Sequence, residues 1–130
     1  MYLAHNWGRG CCASRRCPTT TREIVPEIAV WEHAEPGVRR RVLQAQGGLM
    51  LMEVQFGAGA AGYEHSHVHE QISYCLAGRF EYSLDGRIRM LAAGESIYVP
   101  SGARHGVRAL EPGMLIDVFT PLREDLLARR

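Results

Sequence analysis

Residues 59–78 read GAAGYEHSHVHEQISYCLAG, a stretch framed by glycines with a histidine pair near its middle. His65 and His67 lie two residues apart, and Gln71 follows four residues after His67. A later stretch, residues 94–105, reads GESIYVPSGARH and ends on another histidine. Together the two stretches offer three imidazoles and one side-chain amide, which suits the binding of one divalent metal ion.

Strand alternation predicts that these side chains converge. Successive side chains of an extended strand point to opposite faces, so His65 and His67 would share a face, and Gln71 has the same parity. His105 follows a strand end and the turn at Gly102. A divalent transition metal such as Zn, Ni, Mn or Fe is therefore predicted on four ligands: His65, His67, Gln71 and His105. Because a structural zinc site would be closed and rich in cysteine, we expect a position open to water or substrate.

The neutral amide of Gln71 leaves the charge of the ion uncompensated. This favours an anionic ligand and preserves Lewis acidity, at some cost in metal retention. His69 shares the face of His67, and we expect it to support a ligand or line the pocket rim rather than bind the metal. Glu70 is expected to point away from the site.

In this order, the two glycine-framed stretches resemble the paired motifs of the cupin family, small β-barrel proteins that hold a divalent metal in the barrel. The resemblance covers roughly residues 30–120 and implies an all-β, jelly-roll barrel. Most cupins similar to this chain carry a glutamate at the position of Gln71.

Short alternating runs along the chain also favour an all-β sandwich or barrel. Asp85-Gly86 stands between two such runs and predicts a two-residue hairpin. Residues 57–62 are interpreted as a flexible approach to the first motif, and residues 121–129 as one short C-terminal helix. Strands are predicted at residues 24–31, 38–43, 49–56, 72–76, 79–84, 87–91, 96–99, 106–110 and 114–120.

The last predicted strand and its exit read DVFTPLRED over residues 117–125. Asp117 and Phe119 share one strand face, which alternation could place inside the barrel, and Arg123 follows near the barrel mouth. An acid, an aromatic wall and a guanidinium beside a metal suit a small carboxylated sugar. The acid and the arginine could equally form a structural ion pair.

This ending, together with the glutamine at position 71, resembles the pectin-degradation cupins of the KdgF type. Those enzymes open cyclic 4,5-unsaturated monouronates into linear keto acids. The resemblance implies proton transfer by Asp117, packing of Phe119 on the sugar face, and pairing of Arg123 with the uronate carboxylate. Two other hypotheses stay open: a metal-dependent dioxygenase, which oxygen uptake would reveal, and a sensor that binds a metabolite without turnover.

Composition limits the remaining classes of function. A chain of 130 residues is one domain, and it contains no lysine, which excludes Schiff-base chemistry on that residue. No apolar run approaches the ~20 residues of a membrane span, and nothing indicates a nucleic-acid surface. We expect a cytoplasmic homodimer that binds a small anionic sugar or metabolite. Cys75, in a predicted strand, is expected to be a small buried hydrophobe.

The first residues differ from the rest in composition. Residues 1–22 carry four arginines, no acidic residue and three of the four cysteines, without the paired spacing of a zinc site. We predict that residues 1–22 form a loosely ordered extension and that residues 23–130 form the cupin domain. Further along, strand alternation sends Arg39 and Arg41 to one face and Arg40 to the other, where one arginine could reach the pocket and bind an anion.

Overall fold

The computed structural model describes residues 30–127 of the chain. Within them, ten strands form two antiparallel sheets, and one helical turn follows the last strand, so the all-β prediction is confirmed. The elements are β1 (Glu32–His33), β2 (Val38–Gln46), β3 (Leu49–Phe56), β4 (Ala61–His65), β5 (Glu70–Ala77), β6 (Arg79–Leu84), β7 (Arg87–Ala92), β8 (Ser96–Val99), β9 (His105–Ala109), β10 (Gly113–Thr120) and α1 (Glu124–Leu127).

The two sheets enclose one apolar core. The larger sheet has the order β1-β2-β3-β10-β5-β8, and the smaller has the order β4-β9-β6-β7. Inward-facing side chains of both sheets are buried, among them Val42, Met52 and Leu115 of the larger sheet. Phe56 of the larger sheet meets Phe80 of the smaller edge to face, with ring centroids 5.1 Å apart.

Two turns show why particular residues stand at particular positions. Asp85 (φ 47°) and Gly86 (φ 79°) both adopt the left-handed conformation between β6 and β7, so the predicted two-residue hairpin is confirmed. Gly78, which ends the first glycine-framed stretch, has a φ of 87°. A Cβ atom there would lie 2.7 Å from the carbonyl oxygen of Pro112, so no side chain fits at this position.

The strand at Ala61–His65 was not predicted. Its small residues suggested a flexible segment leading to the first motif, yet Gly62 pairs with Val107 of β9. A Cβ atom at Gly62 would lie 3.1 Å from a methyl group of Val107, so close packing against β9 explains the small residue. The predicted short C-terminal helix is confirmed, and within the described residues it spans Glu124–Leu127.

Some predictions fall on residues outside the described range. These are the extension at residues 1–22, the domain boundary at residue 23 and most of the first predicted strand, while the described strands begin at Glu32. Cys75 is fully buried, as predicted, and burial raises the pKa of its thiol. No helix within residues 30–127 is long and apolar enough to cross a membrane.

Candidate metal centre and substrate pocket

Three histidines from separate parts of the chain meet at one end of the barrel. His65 ends β4 and pairs with His105, which begins β9. His67 lies in the connection between β4 and β5, so the strand alternation used to place it on the face of His65 does not apply there. The connection nevertheless brings its ring to the other two, and one nitrogen from each imidazole lies within 4.8 Å of the others.

Backbone carbonyls fix which nitrogen of each ring is available. A carbonyl oxygen can only accept a hydrogen bond, so each Nδ1 facing one carries the hydrogen and each Nε2 keeps its lone pair. In each case the carbonyl belongs to a residue two positions away: Tyr63 for His65 (2.8 Å), His69 for His67 (3.0 Å) and Ala103 for His105 (2.9 Å).

The residues present fit a divalent cation. The Nε2 of His105 is buried and has no hydrogen-bond partner within the described residues. The Nε2 of His67 lies 3.0 Å from the Oε1 of Gln71, and both atoms offer lone pairs. Burial lowers the pKa of His105 to about 4 and also lowers the pKa of His67, so both rings are neutral and able to bind metal at neutral pH.

A cavity of about 380 Å³ opens beside the histidines. It contains predicted site residues from both sheets and from the segment after β10. Its lining includes His65, Gln71, His105, Asp117, Phe119 and Arg123. Asp117 and Phe119 are 7% and 1% exposed, as expected for two residues on the inner face of β10. His67 and Arg123 line an adjoining pocket at the mouth.

Asp117 belongs to a buried polar network that the sequence did not reveal. The hydroxyl of Ser73 donates to Oδ1 of Asp117 at 2.6 Å, and Nε2 of Gln71 donates to the same hydroxyl at 2.9 Å. The phenol of Tyr82 lies 3.1 Å from Ser73 Oγ and 3.4 Å from Gln71 Nε2. Burial raises the pKa of Asp117 to about 6, although Ser73, Gln71 and Arg123 act in the opposite direction.

Arg123 is held at the pocket mouth by Asp125. Its Nε and Nη2 donate to the two carboxylate oxygens of Asp125 at 3.0 and 2.8 Å, and these bonds lower the pKa of that carboxyl to about 2. The guanidinium carbon lies 5.1 Å from the centroid of Phe119. The structural ion pair considered from the sequence therefore forms, but with Asp125 and not with Asp117.

The arginines of β2 separate as alternation predicted. Arg40 lines the cavity, and its Nε lies 2.9 Å from a carboxylate oxygen of Glu32. Arg39 and Arg41 turn to the other face, where their guanidinium carbons lie 4.4 and 4.6 Å from the Trp31 ring. Arg40 thus lies beside the pocket, and its guanidinium already has an acidic partner.

His69 and Glu70 occupy different environments beside the histidine cluster. The Nε2 of His69 lies 3.1 Å from the carbonyl oxygen of Leu122, and its own carbonyl faces His67. His69 is therefore placed to orient a neighbouring ring. Glu70 accepts a hydrogen bond from the exposed hydroxyl of Tyr98, on the outer face of the sheet and away from the cavity.

Known proteins are similar to this chain in sequence and in fold. Residues 50–119 match the Cupin domain family. The pectin degradation protein KdgF of Dickeya dadantii is 37% identical over 108 residues, which span 82% of this chain and 98% of that protein. KdgF from a Halomonas species superposes with a TM-score of 0.72 and 39% identity, over 75% of this chain and 90% of that one. An RmlC-like cupin from Shewanella frigidimarina gives a TM-score of 0.72 and 40% identity, over 75% and 88% of the two chains. The chain belongs to the cupin family.

Proposed function

We propose that this cupin is a metal-dependent isomerase that opens 4,5-unsaturated monouronates into linear keto acids. One observation carries the proposal: Asp117, Phe119 and Arg123 line the same cavity as His65 and His105. That set supplies a proton carrier, an apolar wall and a cation for a small carboxylated sugar. The identity to proteins named for pectin degradation supports the same substrate class.

The metal-binding part of the proposal assigns one divalent transition ion to His65, His67, Gln71 and His105. Three Nε2 lone pairs and one amide oxygen match the donors that such ions accept. When bound, the ion would act as a Lewis acid on substrate oxygens. The ligand set contains no carboxylate, so it leaves the positive charge of the site available to an anionic substrate.

Arg123 is suited to bind the uronate carboxylate even while it is paired. A guanidinium has five N–H groups, and Asp125 occupies one on Nε and one on Nη2. The three that remain include one on each Nη, which is the edge that makes bidentate contact with a second carboxylate. Phe119 lies beneath the guanidinium and belongs to the lining of the cavity, so it is assigned the apolar wall against the sugar ring.

Asp117 is assigned the proton transfer. Opening the ring breaks the C1–O5 bond as the C1 hydroxyl loses its proton, which leaves an aldehyde at C1. The electrons that reach O5 form a C5 ketone when C4 gains a proton, so the reaction is an isomerisation with no net change in atoms. Because burial raises its pKa to about 6, Asp117 is able to accept the first proton and return one at neutral pH.

The test is the loss of ultraviolet absorbance of the C4–C5 enol ether. The full chain, loaded in turn with Zn, Ni, Mn or Fe, is expected to accelerate this loss above the spontaneous rate. An unchanged rate with every metal would contradict the uronate assignment. Oxygen uptake with iron would favour a dioxygenase instead, and ligand binding without turnover would favour a sensor.

A homodimer and a cytoplasmic location complete the proposal. The outer face of the larger sheet exposes Ile72, Tyr74 and Tyr98, and Ile72 pairs directly with Tyr98 across β5 and β8. Exposed apolar rows of this kind commonly mark protein contacts, which supports pairing with a second copy. Light scattering of the full chain tests the dimer, and cell fractionation tests the location.

A further inference from the structure

The polar network behind the histidines has a defined hydrogen-bond direction. A serine hydroxyl has one hydrogen to give and two lone pairs to receive. The hydrogen of Ser73 goes to Asp117 at 2.6 Å. Its lone pairs face the Gln71 amide nitrogen at 2.9 Å and the Tyr82 phenol at 3.1 Å, both of which can donate. Every member of this network is buried and lines the cavity, so these hydrogen bonds are made inside the barrel.

This direction constrains which residue fits at position 71. The amide of Gln71 donates with one end and presents its oxygen to His67 with the other, 3.0 Å from the ring nitrogen. An ionised glutamate in its place has no hydrogen to give. Its carboxylate and that of Asp117 would then compete for the single hydrogen of Ser73, and two like charges would be buried together.

We infer that Ser73 is a positioning residue that couples position 71 to Asp117, and that it requires one amide and one carboxylate across its hydroxyl. The hydroxyl orients the glutamine so that its oxygen faces the histidines, and it holds the aspartate within the cavity. A barrel with an acid at both positions would lose this arrangement. A barrel with an acid at position 71 and an amide at position 117 would regain this arrangement, with each hydrogen bond of the Ser73 hydroxyl running in the opposite direction.

An exchange of the two groups tests the inference without any substrate. Gln71→Glu in the full chain, at pH 7.5 with a chelator, is expected to lower Tm by roughly 10 °C. Gln71→Glu with Asp117→Asn restores one amide and one acid, and it is expected to recover at least half of that loss. Gln44→Glu, an exposed change of the same chemistry on β2, serves as the control and should leave Tm nearly unchanged. A double variant no more stable than Gln71→Glu would overturn the inference.

A double-mutant cycle in kcat adds a measurement that a change in fold stability alone would not alter. This kinetic test rests on the proposed function. Ser73→Ala is expected to lower kcat about tenfold at constant KM, and less than twofold when Asp117 is already Asn. Ser96→Ala, on the exposed face of β8, is the matched control. Fully additive losses would refute coupling through Asp117. If the wild type shows no turnover, the uronate proposal fails, and the exchange of residues 71 and 117 still decides the role of Ser73.

Discussion

The Oε1 of Gln71 lies 3.0 Å from the Nε2 of His67, and with the hydrogen of a neutral His67 ring on Nδ1, which faces the carbonyl oxygen of His69, both atoms present lone pairs. Two acceptors at this distance repel each other unless a cation lies where both can reach it. His105 Nε2, buried and without a partner in the described residues, belongs to the same group of lone pairs. The metal assignment therefore rests on the donor atoms themselves as well as on their spacing in the sequence.

Removing one imidazole should remove the metal. His67→Ala is expected to lose bound metal by elemental analysis, because the remaining donors no longer surround the ion. His33→Ala, an exposed histidine on β1, is the control and should keep its metal. Full metal content in His67→Ala would contradict the assignment.

Adding a charge at the fourth ligand should tighten metal binding. Gln71→Glu is expected to hold Zn²⁺ more tightly in a chelator competition, because a carboxylate offsets the charge of the ion. The gain would coexist with the loss of Tm expected for the metal-free chain. An affinity equal to that of the wild type would indicate that residue 71 does not bind the ion.

Variants that impair proton transfer and variants that impair substrate binding should change different kinetic constants. Asp117→Asn keeps the shape of the side chain and removes its titration, so kcat should fall roughly 100-fold or more with little change in KM. Arg123→Ala should mainly raise KM, because a carboxylate anchor binds ground and transition states alike. Steady-state rates from the loss of enol-ether absorbance measure both, and full activity in Asp117→Asn would exclude the assigned role.

Asp125 should act through Arg123. Its carboxylate holds one edge of the guanidinium and leaves the other edge free, so Asp125→Ala is expected to raise KM about three- to tenfold. The effect should be smaller than that of Arg123→Ala and should vanish in the Arg123→Ala background. A lower KM would instead mean that Asp125 competes with the substrate carboxylate.

Burial of Asp117 should make the stability of the metal-free chain depend on pH. Its pKa is raised from 3.8 to about 6, so the folded state binds more protons than the unfolded state between these values. The stabilisation is therefore present below pH 4 and is lost as pH rises through 6, by up to about 3 kcal/mol. Urea unfolding at pH 4.5 and 7.5 measures it, and the stability of the wild type relative to Asp117→Asn should fall at the higher pH. A constant difference would argue against the raised pKa.

The N-terminal extension should be dispensable for the site. Residues 1–22 differ in composition from the rest of the chain, with four arginines and no acidic residue. Deletion of residues 1–22 is therefore expected to leave both Tm and metal content nearly unchanged. A large loss of either would mean that the extension packs against the barrel or against a second copy.

The histidine cluster was accessible to sequence reasoning because it depends on short-range spacing. His65 and His67 are neighbours in the chain, and glycine-framed turns bring β9 back to them. The strand at Ala61–His65 was hidden because the small residue at Gly62 fits a close contact with Val107 of β9, which local propensity does not register.

The supporting residues of the site were harder to find. Ser73 follows Gln71 by two residues on β5, so strand alternation places both side chains on the inner face. The sequence around a serine in a strand does not indicate which groups its hydroxyl will bond. Its partners Tyr82 and Asp117 come from two other strands. The pairing of Arg123 with Asp125 likewise depends on how the chain leaves β10, which the sequence pattern did not specify.

The proposed ligands belong to both layers of the barrel. His65 and His105 are held by the smaller sheet, whereas Gln71 is held by the larger one. An ion bound by all of them would crosslink the two sheets. Chelation should then weaken the contact between the sheets first. Hydrogen exchange should become faster in β4, while the amides of β3 and β10, at the centre of the larger sheet, stay protected.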